Sequence, residues 1–236
     1  MNTKQKPLLG VIGGMGPLAS ALFLEDIANL TMANKDQDHL DIILYSMPSI
    51  PARSDYILGK TTNSPLPFLI KYIKELQKKQ VDLVAIPCVT AMHFYPDLCE
   101  LGVNVTNIAT IALQAANDKL GKAGKIGIMA TSGTISSNLL TSDTKNKYIL
   151  PDTNHQNMIM DVIYTAIKSG NQFNADSFDK ITTHLQNAGA EIIILGCTEL
   201  SFVKRHMHLN ETLFIDALGE LAKYCIRELG KEVKTD

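Results

Sequence analysis

The chain is predicted to be an α/β protein of two pseudo-symmetric lobes with mainly parallel sheets. Apolar runs of strand length alternate with helical patterns along its 236 residues, which is typical of parallel sheets covered by helices. A strand ending at Cys88 has a counterpart ending at Cys197, 109 residues later. A strand leading into a loop also occurs twice, near Gly10 and Gly127, 117 residues apart. Two unrelated motifs repeated in one order at similar offsets indicate an internal duplication.

The first half opens with a predicted strand at 8–12, a glycine loop at 13–17 and a helix that ends near Leu30. Pro17 suits the first helical turn, where its missing N–H is not needed. Apolar periodicity predicts the other elements of this half: strand 40–45, a loop rich in Pro and Ser at 46–55, helix 65–80, strand 83–87, helix 92–100, strand 103–105 and helix 108–119.

The second half repeats the opening pattern with a strand at 125–129 and a loop at 130–134. Its further predicted elements are a short helix, strand 148–150, helices 156–169 and 176–188, and the second cysteine strand at 191–195. A final strand at 212–215 and helix at 217–229 are expected to return to the first lobe. The predicted lobes therefore comprise 1–115 with 212–236, and 116–211.

Composition excludes several classes of function. Hydrophobic residues make up 45% of the chain and charged residues 19%, as in ordinary compact proteins. The net charge of -2 gives no reason to expect nucleic acid or an anionic membrane as a partner. The first apolar run, 8–12, is too short for a signal sequence or a membrane span. Four cysteines without a CxxC pair predict reduced thiols, and so a cytoplasmic protein.

Two of these cysteines are candidates for chemistry. Cys88 and Cys197 should each lie just past the carboxyl end of a buried strand, where open α/β sheets place their ligand sites. Each is followed closely by a threonine. Two thiols at equivalent positions indicate a reaction that needs one reactive group on each side of a small molecule. Cys99 and Cys225 lie within helical patterns and are expected in the core.

The glycine loop allows a second interpretation, because Gly14 to Ala19 fits the G-x-G-x-x-A pattern of dinucleotide-binding proteins. That pattern also needs an acidic residue at the end of the second strand, where this chain has Tyr45-Ser46-Met47. A dinucleotide is therefore not expected. Backbone N–H groups at the start of a helix still suit an anion such as a carboxylate.

Metal binding and hydrolysis are the other uses of such thiols. His93 lies five residues after Cys88, and His206 lies nine after Cys197, but the spacings of a structural zinc site are missing. No metal is therefore expected. A Cys-His hydrolase could use Cys88 with His93, but it would leave Cys197 without a role.

Six motifs in order along residues 8–228 resemble the aspartate/glutamate racemase family, most closely its pyridoxal-independent aspartate racemases. The motifs are Gly13–Pro17, Ile50–Arg53, Ile86–Ala91, Ala130–Thr134, Ile167–Gly170 and Gly196–Glu199. The resemblance implies two Rossmann-like lobes with an active site between them, a homodimer, and inversion at the α-carbon of an acidic amino acid. It also implies that neither a cofactor nor a metal takes part.

The resemblance further implies a role for individual residues. Cys88 and Cys197 match the catalytic cysteines, one removing the α-proton and the other delivering a proton to the opposite face. Arg53 and Lys168 match the basic positions that bind substrate carboxylates, and Glu199 matches a position that supports the second thiol or the substrate ammonium. The other matched residues surround the substrate: Met15, Gly16, Thr90, Thr131 and Thr198.

One departure bears on the substrate. The family commonly has Asn after the first cysteine, whereas this chain has Val89, which lacks the side-chain amide that could hydrogen-bond a substrate. Aspartate racemase is the expected activity. The alternatives are a glutamate or broad-specificity racemase, a hydantoin racemase, maleate isomerase or decarboxylase, and a catalytically silent dicarboxylate-binding protein. In the expected mechanism, helix N-termini lower the pKa of the cysteine thiols from about 8.5.

Overall fold

The structure, a computed structural model, describes residues 6–234. Its strands are β1 Leu8–Gly13, β2 Asp41–Ser46, β3 Leu83–Ala85, β4 Lys125–Met129, β5 Lys147–Ile149, β6 Ile192–Leu195 and β7 Phe214–Asp216. They form two sheets, with the orders β2-β1-β3 and β5-β4-β6-β7, and every pairing is parallel. The predicted α/β class with parallel sheets is confirmed.

Helices connect these strands and cover the sheets. They are α1 Pro17–Leu30, α2 Arg53–Ile57, α3 Leu66–Lys78, α4 Tyr95–Cys99, α5 Ile108–Leu120, α6 Ser132–Ser136, α7 Thr153–Met160, α8 Ala175–Asn187, α9 Leu200–Met207 and α10 Ala217–Glu228. Two 3₁₀ segments span Asp36–Asp38 and Val89–Phe94, and a π-helical segment, Asp161–Ile167, continues α7. Among residues 6–234, no helix is both long and apolar enough to cross a membrane.

The two sheets show the duplication expected from the repeated motifs. The opening strand of each half, β1 or β4, is the central strand, and the cysteine strand, β3 or β6, lies on one side of it. The cysteine strands are buried along their whole length, in agreement with their unbroken apolar sequences. One hydrophobic cluster includes residues of both sheets, and a smaller one lies in the second half.

Local sequence explains how the connecting helices begin and end. The side chain of Asn107 accepts hydrogen bonds from the backbone N–H groups of Ala109 and Thr110, which caps the start of α5. The helix ends at Gly121, whose positive φ of 63° favours glycine. The predicted helix at 108–119 is therefore confirmed within one residue at its C-terminal end.

The C-terminal segment is divided between the halves. Strand β7 pairs with β6 in the second sheet, whereas the expectation for this strand was the first lobe. Helix α10 packs on α1 and β3 of the first half, and α5 packs on β6 and β7 of the second. The expected strand at 103–105 is reduced to one parallel bridge between Val105 and Val84. The residue boundaries proposed for the lobes stay a prediction.

Candidate active site

The glycine loop after β1 reaches the second half of the molecule. Gly14 has a φ of 87°, and a Cβ there would lie 2.2 Å from the backbone nitrogen of Met47, so only glycine fits. The N–H of Gly16 donates a hydrogen bond of 3.2 Å to Oε1 of Glu199. A carboxylate at this position would repel a pyrophosphate, which is a further argument against a dinucleotide.

Cys88 lies between β3 and the 3₁₀ segment Val89–Phe94, for which it is the N-terminal cap residue. Its side chain is buried, with 6% of the residue exposed. Among residues 6–234, none forms a hydrogen bond with its sulfur. The predicted helix at 92–100 is instead this 3₁₀ segment followed by the short α4.

Cys197 follows β6 and is buried to the same extent, 6%. Its sulfur donates a hydrogen bond of 2.9 Å to Oε2 of Glu199. Burial and, next, the negative charge of Glu199 raise the pKa of this thiol well above its usual range. The expectation of a lowered pKa is therefore wrong for Cys197, because desolvation and the nearby carboxylate both raise its pKa.

Glu199 connects this thiol to a cation. The residue is 3% exposed, and its Oε1 accepts both the Gly16 N–H and the ammonium group of Lys168. Lys168 directly follows the π-helical segment, at the helix end predicted for it. Burial alone would lower the pKa of Lys168, but the charge of Glu199 raises it above its usual range. Lys168 therefore stays protonated over the whole physiological pH range.

A network of hydroxyl groups lies on the Cys88 side of the cleft. The Thr90 hydroxyl is 3.1 Å from that of Thr131 and 2.9 Å from that of Thr134, and Ser54 donates to Thr131 at 3.2 Å. All four side chains are buried. A Cβ at Gly133 would lie 2.7 Å from the Cα of Ser54, so α2 and α6 approach too closely for any larger residue. The network therefore joins the two halves without charge.

Arg53 begins α2, within the segment that was predicted as a loop. Its guanidinium donates to the backbone carbonyls of Ile50, Pro51 and Met15, at 3.2, 3.0 and 2.9 Å. These bonds use three of its five N–H groups. The Nε atom is buried and has no partner among the described residues. A buried N–H is rarely left unpaired. We therefore expect the Arg53 Nε–H to donate a hydrogen bond to an acceptor atom of a bound ligand.

These groups line one narrow cleft between the two halves. The described residues in its wall are Met15, Arg53, Ser54, Cys88, Val89, Thr90, Thr131, Tyr164, Lys168, Cys197, Thr198 and Glu199. The space between them is about 10 Å³, which holds a single water molecule. A wider cavity of about 570 Å³ adjoins it and includes Gly16 in its wall.

Each residue predicted for the site lies in the wall of the cleft or, for Gly16, of the adjoining cavity. Sequence reasoning missed Ser54 and Tyr164. Tyr164 lies one helical turn before Lys168, with the ammonium 5.6 Å from its ring centroid, so that spacing could have identified it.

The remaining alternatives can be placed on the structure. No histidine occurs among the described residues of the cleft wall, and Nδ1 of His93 is 3.0 Å from the Ser137 hydroxyl, so a Cys88-His93 hydrolase gains no support. Asp152, His155 and His184 form the single group in 6–234 that could hold a metal, and none of them lines the cleft. Cys225 is buried as expected, but Cys99 is exposed.

Comparison with known proteins relates the whole chain to one group of enzymes. The family described as Asp/Glu/Hydantoin racemase matches residues 12–224. The broad specificity amino-acid racemase RacX of Bacillus subtilis is 26% identical over 228 residues, which cover 92% of this chain and 95% of that protein.

Solved structures give the same relationship. An aspartate racemase of Picrophilus torridus superposes with a TM-score of 0.81 and 26% identity, covering 97% of this chain and 96% of that one. A glutamate racemase of Campylobacter jejuni superposes with a TM-score of 0.61, covering 97% and 88%. Its 18% identity shows a shared fold alone.

Proposed function

The chain belongs to the Asp/Glu/hydantoin racemase family, and we propose that it racemises an amino acid, with aspartate as the leading candidate substrate and with Cys88 and Cys197 as its two acid/base groups. The family and the racemase class are confirmed predictions of the sequence. The observation that carries the proposal is that both thiols line one cleft with Arg53 and Lys168. The similar aspartate racemase of Picrophilus torridus supports the choice of substrate.

The proposed reaction inverts the α-carbon between the two sulfurs. A thiolate on one side removes the α-proton, and the electrons of the broken C–H bond stay on the substrate as a carbanion conjugated with its α-carboxylate. The thiol on the other side then gives its proton to the opposite face of the carbon. The first cysteine ends as a thiol and the second as a thiolate, so atoms and charges balance.

The neighbours of Cys197 suit it to begin as the donor. Its S–H is bonded to Glu199, and burial with the nearby carboxylate keeps its pKa high, so it holds its proton at neutral pH. Cys88 is then the proposed base for the enantiomer whose α-hydrogen faces it. In the opposite direction the roles exchange: Cys197, left as a thiolate by the first reaction, removes the α-proton, and the Cys88 thiol donates its proton to the other face.

Charge in the cleft supports an acidic substrate. Its described wall has two cations, of which Lys168 is paired with Glu199, whereas Arg53 forms no ion pair within residues 6–234. Aspartate carries one negative charge at neutral pH. The free Nε–H of Arg53 belongs to the edge of the guanidinium that can hold a carboxylate by two hydrogen bonds. We assign that edge, with Lys168, to the side-chain carboxylate.

The α-amino and α-carboxylate groups are assigned to the residues around the thiols. Met15, Gly16, Thr90, Thr131 and Thr198 bring hydroxyl or backbone groups to the cleft and its rim. Since an amino acid exceeds the present space of about 10 Å³, the proposal requires the cleft to widen on binding.

Hydrogen exchange at the α-carbon tests this function. Purified protein is incubated in D2O with L- and D-aspartate, L- and D-glutamate and a panel of neutral amino acids, and α-hydrogen loss is followed by NMR with chiral chromatography. Exchange and racemisation are expected without added pyridoxal phosphate and in the presence of a chelator. Cys99→Ser, which changes an exposed thiol, is the control and should retain activity.

Absence of exchange with every amino acid would refute the proposal. Stabilisation by aspartate without exchange would instead identify a silent binding protein. We also propose a cytoplasmic homodimer: the free cysteines suit a reducing compartment, and light scattering of the purified protein measures the oligomeric state.

A further inference from the structure

Three side chains of the second half meet outside the cleft. Asp152 is the N-terminal cap residue of α7, His155 lies in the first turn of that helix, and His184 lies in the last turn of α8. Oδ1 of Asp152 is 2.8 Å from Nδ1 of His155, and its Oδ2 is 3.9 Å from Nδ1 of His184. The imidazole rings are stacked, with centroids 3.9 Å apart and planes at 16°. One carboxylate therefore faces two imidazoles that come from different helices.

Helix capping explains only part of this arrangement. The backbone N–H of His155 donates to Oδ1 of Asp152 at 2.9 Å, as expected of an aspartate at the start of a helix. That bond uses one oxygen of the carboxylate and leaves Oδ2 on the side of His184. Because His184 belongs to α8, it has no part in capping α7. The meeting of the two histidines at one carboxylate therefore needs a further explanation.

The three groups are a donor set for a transition-metal ion. One ligand atom from each side chain lies within 4.8 Å of those of the other two. Ligand atoms around a tetrahedral Zn²⁺ are about 3.3 Å apart, since its bonds are about 2.0 to 2.2 Å long. The side chains are 23% to 53% exposed, so each ring can rotate until its plane contains the ion. Two imidazoles and a carboxylate suit Zn²⁺ better than Mg²⁺ or Ca²⁺, which prefer oxygen ligands alone.

We propose that Asp152, His155 and His184 form a structural binding site for Zn²⁺ or a similar transition-metal ion, which joins α7 to α8. The ion replaces the hydrogen bond between the side chains of Asp152 and His155, and water completes its coordination. None of the three residues is among the described residues of the cleft wall, so the ion takes no part in proton transfer. The inference is therefore independent of the proposed racemase function.

The proposed ion would hold a helical hairpin that supports the cleft. From its start, α7 continues through the π-helical segment to Lys168, and α8 leads back toward the proposed site. Nε2 of Gln156, in the first turn of α7, donates to the Ala130 carbonyl at 3.0 Å and to the Ser132 hydroxyl at 3.3 Å, on either side of Thr131. Both Thr131 and Lys168 line the cleft. Closing the open end of this hairpin should stabilise the folded protein in proportion to zinc occupancy.

Zinc binding by the full chain tests the site with two ligand variants and one control. Asp152→Asn removes the charged ligand but keeps a residue that caps helices well. His184→Ala removes the ligand from α8 and puts a strong helix former in its place. His206→Ala is the matched control, because His206 is an exposed histidine of α9 that lies outside the group.

Equilibrium dialysis against Zn²⁺ measures the number of bound ions and their affinity in each protein. Since thiols also bind zinc, the decisive quantity is the difference between proteins. The wild type and His206→Ala should bind one more ion than the ligand variants do. Its affinity should fall more than about 100-fold in His184→Ala and about 10-fold or more in Asp152→Asn, because loss of even an outer-shell partner costs about 10- to 100-fold.

Amide hydrogen exchange locates the ion. In the wild type, Zn²⁺ should slow exchange in peptides from the start of α7 and the end of α8, and this protection should be absent from His184→Ala. Equal zinc binding by all four proteins, or protection confined to peptides of the cleft, would place the ion at the thiols and overturn the inference. No binding by the wild type would also overturn it. Each of these results leaves the racemase proposal intact, because that proposal is tested in the presence of a chelator.

Discussion

The surroundings of the two cysteines differ although the strands that carry them are duplicates. Cys88 has next to it a neutral network of buried hydroxyls that includes Thr90. Cys197 donates to Glu199, which is paired with Lys168. The difference shows that equivalent strand ends can place one thiol in a neutral environment and the other in an ionic one, because the side chains around them come from different elements. Substituting the thiols, the ionic neighbours of Cys197 and the hydroxyl neighbours of Cys88 in turn tests whether the two cysteines have different roles.

The largest effect is expected from the thiols themselves. Cys88→Ser and Cys197→Ser should each lower racemisation about 10³-fold, because an acid/base group contributes roughly 10²- to 10⁴-fold. The remaining thiol still faces one side of the α-carbon, so residual exchange should prefer opposite enantiomers in the two variants. Exchange of separate L- and D-aspartate samples measures this. The same preference in both variants would contradict the proposed placement of the thiols on opposite faces.

Loss of the Lys168 ammonium group should have the next largest effect, in this case on the free energy of unfolding. Lys168→Met leaves Glu199, which is 3% exposed, as a buried charge without its partner, and should lower the free energy of unfolding by about 3 kcal/mol. The double variant Lys168→Met with Glu199→Gln should recover much of the loss. Urea denaturation gives these values. Lys78→Met, at an exposed ion pair, is the control, and an equal loss there would argue against a special role for Lys168.

The carboxylate should set the pH at which Cys197 reacts. Because burial and Glu199 raise the pKa of Cys197, its alkylation by iodoacetamide in Cys88→Ser protein should increase only at pH values above those of an ordinary thiol. Glu199→Gln removes a negative charge that disfavours the thiolate, so the midpoint should fall. Peptide mass mapping separates Cys197 from the exposed Cys99. A midpoint that stays or rises would contradict the electrostatic role of Glu199.

The smallest effect is expected in the neutral network. Thr90→Val removes one hydroxyl from a set in which Thr131 and Thr134 keep each other as partners at 3.1 Å. The free energy of unfolding should fall by about 1 kcal/mol, with no dependence on salt. Thr110→Val, at an exposed position of α5, is the control for urea denaturation at two salt concentrations. A salt-dependent loss in Thr90→Val would mean that this side of the cleft is ionic as well.

The elements that sequence predicted well are those with local signals. Unbroken apolar runs ending at Pro87 or Gly196 predicted the cysteine strands. A strand buried on both faces is apolar throughout, so it can be identified from its own sequence without knowing its neighbouring strands. Apolar periodicity similarly predicted α5 to within one residue, and the structure shows that Asn107 and Gly121 cap its ends. The strand at 103–105 was overestimated, since its single bridge to Val84 depends on the edge of a sheet formed elsewhere.

The candidate site shows the same division. Motif resemblance identified the residues now found around the cleft, but not the pairing of Glu199 with Lys168 or the unpaired Nε of Arg53. Those contacts join residues far apart in the chain. The direction of the pKa shift at Cys197 was wrong in the sequence analysis because burial and the Glu199 contact are properties of the folded site.

By itself the sequence determined the α/β class, the duplication and the two cysteines at equivalent strand ends, because apolar periodicity and glycine or proline stops act over a few residues. Only the tertiary structure decided that β7 joins the second sheet, that the two thiols share a cleft and that a wider cavity adjoins it. Pairing, desolvation and the shape of a cavity depend on residues brought together from both halves, and no local pattern records them.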